Sequence, residues 1–254
     1  MKIAVTLSLV IGMSFFMLLN TNEPLADERL TGTHIAGESA EIQRGALLYD
    51  NWMKLKSTRP KATHPLYPST AKKKGPGTWR CKECHGWDYI GARGRYREGS
   101  HYTGIKGVYD SRSRSRQELT DLLRNTDKGH DFSAYLSAAD LRGLVAFIQN
   151  GLYDIGRVLD DQGHVKGSTT AGKVLYARQC AACHGSNGDT MDFKAKKAGV
   201  QGVGWLANDN PQESIHKIRW GHPGSEMPSM IADAGLNEQE TVDILAYSRT
   251  LGTR

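Results

Sequence analysis

All four cysteines of this 254-residue chain fall in two copies of one five-residue pattern. "CKECH" holds Cys81 and Cys84 with His85 directly behind, and "CAACH" holds Cys180 and Cys183 with His184 directly behind. Four cysteines in an exported chain can pair as disulfides. A Cys-x-x-Cys pair can also be a redox dithiol or half of a zinc site. None of these uses calls for a histidine next to the second cysteine, and here both copies have one.

That histidine decides the reading, because Cys-x-x-Cys-His is the attachment spacing for c-type haem. Two thiols add to the two vinyl groups along one porphyrin edge, and the adjacent histidine offers its ring nitrogen to the iron. The repeat therefore predicts two covalently attached haem c groups, one on Cys81, Cys84 and His85 and one on Cys180, Cys183 and His184. The cysteines are then neither disulfides nor catalytic thiols. Each macrocycle is a large apolar surface for short helices to bury, so the chain is expected to fold poorly without haem.

The motifs sit in two similar runs of sequence. "IQRGALLYDNW" and "TAGKVLYARQC" have apolar positions at helical spacing, with Gly45, Leu48 and Tyr49 matching Gly172, Leu175 and Tyr176. "LSAADLRGLVAFIQNG" and "LNEQETVDILAYSRTLG" close the runs. Each opens with a capping pattern, Ser137 with Asp140 and Asn237 with Glu240, carries an aromatic (Phe147, Tyr247), and stops at glycine. A further helix fits before each distal loop, in "RQELTDLLRN" and "PQESIHKIRWG". This order resembles two tandem class I cytochrome c domains, an all-α fold with the first and last helices of each domain crossing near the haem. The resemblance implies domains at 40–153 and 170–254, joined by a linker at 154–169 in which Asp161-Gln162-Gly163 suggests a turn or small hairpin. It also implies that Gly45 and Gly172 let the crossing helices approach closely. The first run departs from the second by a basic insertion, 54–78, expected as a loop over the first haem or on its rim.

In that family a methionine in the loop before the last helix usually supplies the sixth iron ligand. Met227, followed by Pro228 and 43 residues after His184, fills the place in the second run. Met230 is its rival, and His222 a poorer one beside Pro223. The first run has no methionine there; His130 in "GHDF", 45 residues after His85, takes the position and implies bis-histidine ligation. His101 and His64 are the rivals, and Met53 lies too far toward the first helix. His34, His164 and His216 read as solvated surface residues.

Formal charge is +6, but residues 54–116 alone carry 16 Lys and Arg against 4 Asp and Glu. That excess suggests steering toward acidic redox partners near the first haem. No nucleic-acid motif accompanies it. The N-terminus, with Lys2 ahead of an apolar run from Ile3 to Leu19, reads as an export signal over 1–26. That places the protein in the periplasm, with membrane contact only if the segment is retained as an anchor. Two six-coordinate haems form an electron relay, so the chain reads as a carrier rather than an enzyme. The alternatives are a subunit of a larger respiratory enzyme or a dihaem oxidoreductase resembling thiosulfate dehydrogenase, whose distal cysteine ligand has no counterpart here.

Overall fold

The structure, a computed structural model, describes residues 25–127, 129–193 and 199–252, with side chains described from residue 37 onward. All but the last two residues of the expected export signal, and the side chain of His34, lie outside this range. No described helix is long and apolar enough to cross a membrane.

Helix α1 (Leu25–Lys56) breaks at Asn51, where φ is −160° and ψ 80°. A five-residue helix, α2 (Cys81–His85), carries the first motif. Helix α3 (Arg116–Leu123) leads into a two-residue hairpin, β1 (Arg124–Asn125) and β2 (His130–Asp131), paired antiparallel with Asn125 opposite His130. Helix α4 (Ala138–Ala146) continues as one π-turn over Phe147–Gly151. After the short α5 (Ile155–Val158), the second run contributes α6 (Thr169–Gln179), α7 (Ala181–His184), α8 (Val203–Asp209), α9 (Pro211–Trp220) and α10 (Glu238–Ser248). The hairpin apart, the architecture is all-α.

The caps explain where the helices begin. Ser137 and Asp140 form a reciprocal capping box at α4, and Asn237 and Glu240 form another at α10. Ser115 and Glu118 form a third, at α3. Each satisfies two backbone donors that the first helical turn leaves without partners. The linker forms the small hairpin expected: Leu159 and Val165 bridge, and Gly163 turns the chain at φ 81°.

The same helix crossing occurs twice. A Cβ at Gly45 would overlap the Gly143 carbonyl oxygen and crowd Phe147, and one at Gly172 would overlap the Asp243 carbonyl oxygen and crowd Tyr247. Only glycine permits the backbones of α1 and α4, and of α6 and α10, to touch in this way. A second correspondence follows the motifs, where Tyr49 donates to the Gly86 carbonyl at 2.6 Å and Tyr176 to the Gly185 carbonyl at 3.0 Å.

The two halves meet along a buried polar seam, and this corrects one expectation. His216 is not solvated; it is fully buried between the halves. Asp50 of α1 is also fully buried and receives Lys217 of α9 at 2.8 Å and Arg80 at 2.5 Å. Burial alone would raise the Asp50 pKa, but these two cations overcome it and hold it at about 2. His164, by contrast, is exposed, 3.1 Å from Asp160.

Candidate haem sites

The side chains of the first motif open onto a cavity of about 280 Å³, lined by Cys81, Cys84, His85, His64 and His130. Its apolar walls include Leu119, Leu123, Phe132, Leu144 and Ile148. The cysteines are free, and burial pushes the thiols of Cys81 and Cys84 up to about 12. Thiol catalysts and redox dithiols work from lowered pKa values, so the environment opposes both uses.

Two histidines face one another in this cavity. His85 Nδ1 stands 2.7 Å from the Lys106 carbonyl, and His130 Nδ1 stands 3.1 Å from the Leu122 carbonyl. A nitrogen aimed at a carbonyl carries the proton, so the tautomer that each contact selects has its lone pair on Nε2. Burial, only partly opposed by the Lys106 bond, lowers the His85 pKa to about 4 and keeps the ring neutral. The ring centres are 6.3 Å apart, with planes at 82°. Two imidazoles bonded through Nε2 to one metal ion at roughly 2 Å have ring centres about 6 Å apart. The pair is thus spaced to hold a single ion between them. The β1–β2 hairpin is what carries His130 to this place.

The rivals stand differently. His64 comes from the insertion, is 5% exposed, and packs against Trp79 and Phe132 at 4.4 and 5.9 Å between ring centres. Its Nδ1 accepts the Leu66 N–H at 3.2 Å, so its proton is on Nε2 and it offers the cavity a donor rather than a lone pair. His101 is exposed, stacked on Tyr96 at 4.9 Å and 3.6 Å from Glu83, away from the cavity lining. Met53 packs against the core, and the described cavity lining contains no methionine.

The insertion does fold onto this site. His64, Leu66 and Thr78 line the cavity. Lys73 reaches Glu83, a fully buried carboxylate between the two cysteines, at 2.6 Å, and Lys82 reaches it at 2.5 Å. Several of the basic groups counted in the sequence are therefore consumed internally: Lys73 and Lys82 by Glu83, and Arg80 by Asp50. Lys54, Arg59, Lys61, Lys72, Lys74 and Lys106 stay exposed.

At the second motif Cys180 is half-buried and Cys183 exposed. His184 Nδ1 is buried without a hydrogen-bond partner among the described residues. Burial lowers the pKa of this ring, which keeps it neutral and able to act as a ligand. Phe193 lies 6.2 Å away, centre to centre, and Met191, Phe193 and Val200 are exposed apolar side chains in the stretch that follows. Orphaned nitrogen, free thiols and uncovered apolar groups suit a large apolar group with a metal at its centre.

Residues 169–252 match the family model for cytochrome c. The chain therefore carries a cytochrome c domain over this stretch, which supports a c-type cytochrome with covalently bound haem and a role in electron transfer. No curated protein and no solved structure matches the chain. Within this cytochrome c domain Met227 stands half-exposed on the loop after α9, its N–H on Ser225 Oγ at 3.2 Å. Met230 is 4% exposed, packed in the core, and bonded through its backbone to Ile218 and Leu236. His222 is occupied by the seam, its Nδ1 accepting from Lys217 at 2.7 Å. The residues that sequence reasoning missed are those of the seam, Asp50, Tyr89 and His216. No local pattern announces them, since their partners lie in the other half of the chain.

Proposed function

We propose that the protein is an exported dihaem cytochrome c that relays electrons between periplasmic redox partners. Two tandem class I domains, 40–153 and 170–254, would each hold one haem. The observation that carries this reading is the His85–His130 pair, two rings with centres 6.3 Å apart in one cavity, each with Nδ1 turned to a backbone carbonyl, beside two free cysteines. When bound, each haem supplies a one-electron redox centre.

The residues of the chain do the rest. Cys81 and Cys84, like Cys180 and Cys183, would hold the group by thioether bonds. His85 and His130 would ligate the iron at the first site, and the carbonyls of Lys106 and Leu122 orient them and would raise their basicity. Leu119, Phe132 and Leu144 exclude water. His184 and Met227 would ligate the second iron, and a thioether there favours a higher potential. Electrons would then rest on the second haem and pass in or out through the first. The exposed lysines around the first cavity suit an acidic redox protein as partner.

The test is electron transfer to an acidic electron-transfer protein followed by stopped flow. The rate should fall as salt is raised, because screening shortens the reach of the exposed lysines. A rate indifferent to salt would reject the basic docking face.

A further inference from the structure

His216 lies outside both motifs, yet it is fully buried in the seam, as are Asp50 and Tyr89. Its ring centre is 5.1 Å from that of Trp87, 6.0 Å from Tyr49 and 5.8 Å from Phe147. Its Nε2 faces the Ala46 carbonyl at 3.2 Å, so that nitrogen carries the proton. Nδ1 is then an acceptor, and it receives the Tyr89 hydroxyl at 2.7 Å. Tyr89 is itself an outlier, fully buried with φ +64°, in the left-handed region that bulky residues rarely adopt. Such conformations persist only where the surroundings over-determine them, and they cluster at functional sites.

From Tyr89 the backbone leads to His85. The Tyr89 carbonyl accepts the Tyr109 N–H at 3.0 Å, and the Ile90 carbonyl accepts the Gly107 N–H at 3.0 Å. Gly91 pairs antiparallel with Lys106, and the Ala92 N–H bonds the Ile105 carbonyl at 2.8 Å. A Cβ at Gly107 would overlap the Tyr89 carbonyl oxygen, so the two segments touch. Lys106 stands in the middle of this ladder, and its carbonyl is the one that receives His85 Nδ1–H at 2.7 Å. The loop is gripped again next door, where the Tyr153 hydroxyl lies 2.7 Å from the Trp87 carbonyl and 2.8 Å from that of Gln212 in α9.

We infer that Tyr89 and His216 are positioning residues for the first haem: the second half of the chain sets the hydrogen bond that His85 makes to Lys106. The inference rests on the reading above, in which His85 is an iron ligand. A firm bond from Nδ1–H makes Nε2 more basic. A more basic ligand favours the oxidised metal, so the seam holds the first haem at a low potential. Loosening the seam raises it. The helix that carries His216 is capped by Gly221, which packs on the Met227 carbonyl, so the same helix also abuts the loop of the proposed second-haem ligand.

The experiment uses the holoprotein. Tyr89→Phe removes one hydroxyl and leaves the packing volume intact. His216→Phe removes donor and acceptor together, and His216→Gln keeps an amide N–H for Ala46 and an oxygen for Tyr89. Spectroelectrochemical titration and electron paramagnetic resonance read each haem, and the mass of the denatured chain counts them. In Tyr89→Phe the ratio of reduced to oxidised first haem, at a fixed ambient potential near its midpoint, is expected to rise several-fold. Its g values should change while the second haem keeps its own, and His216→Gln should stay near the parent. Tyr89→Phe carries the test if His216→Phe fails to fold. A Tyr89→Phe protein with two haems and an unmoved first-haem potential overturns the inference, whatever its melting temperature. A parent chain with no haem at Cys81 and Cys84 overturns the reading beneath it as well, and the mass alone tells the two failures apart.

Discussion

His85 and His130 face each other with ring centres 6.3 Å apart and ring planes at 82°. One belongs to the attachment helix and the other to a two-residue strand, and each turns Nδ1 to a backbone carbonyl. An iron ligated by both rings would be closed to outside ligands. The first haem of the holoprotein should be low-spin in both oxidation states and should not take up carbon monoxide readily. Its nearly perpendicular rings should give a highly anisotropic low-spin resonance signal. His130→Ala should open the iron, making it high-spin and able to bind carbon monoxide. His64→Leu should leave the low-spin spectrum intact, because His64 presents Nε2–H and not a lone pair. Rapid carbon monoxide binding by the unmutated first haem would contradict the closed relay and favour an enzyme.

The second site distinguishes two methionines. Met227→His should lower the potential of one haem, leave the other nearly unchanged, and abolish the weak absorption band of an iron–methionine bond. Met230 is a core residue, so Met230→Ala should cost about 3 kcal/mol in denaturant unfolding and keep that band. A band that survives Met227→His and vanishes in Met230→Ala would exchange the two assignments.

The helix crossings give a stability test independent of haem chemistry. Gly172→Ala places a methyl group where the Asp243 carbonyl oxygen lies, and should destabilise the holoprotein by roughly 3 kcal/mol in urea titration. Gly252→Ala meets nothing within 4 Å and should be near neutral. Equal midpoints for the two variants would refute the close packing of α6 on α10.

How much of this was legible in the sequence depends on the range of the interaction. The crossings were legible because a glycine and its facing helix repeat in both runs, and the caps because Ser137–Asp140 and Asn237–Glu240 are local pairs. The position of His130 could be counted from His85, but the hairpin that presents it could not, since β1 and β2 are two residues each. Helix α8 was not anticipated. His216 was misjudged for a clear reason: α9 is buried continuously from Ser214 to Trp220. One face meets its own half and another meets α1, so no helical period marks an exposed side.

The seam also makes acid stability a test. His216 is neutral when buried, its pKa lowered by burial to about 3, so the unfolded chain binds a proton there first as pH falls. Its contribution is present above about pH 6.5, the unfolded histidine value, and is lost as pH falls toward 3. Asp50, lowered to about 2 by Lys217 and Arg80 against the effect of its own burial, adds a second loss below about pH 4. Unfolding midpoints should therefore decline from near-neutral pH and steepen below about 4. Asp50→Asn should cost about 3 kcal/mol at pH 7, by leaving Lys217 buried without its nearest counter-charge and with only Glu213 at 3.5 Å, and should flatten the steep limb. An Asp50→Asn protein with the parent's midpoint at pH 7 would show the seam to be unimportant.

The mass of the denatured holoprotein tests the central claim most directly. Two haem additions, with Cys81, Cys84, Cys180 and Cys183 all unreactive toward an alkylating reagent, is the expected result. A single addition, with free thiols alkylated at Cys81 and Cys84, would contradict it.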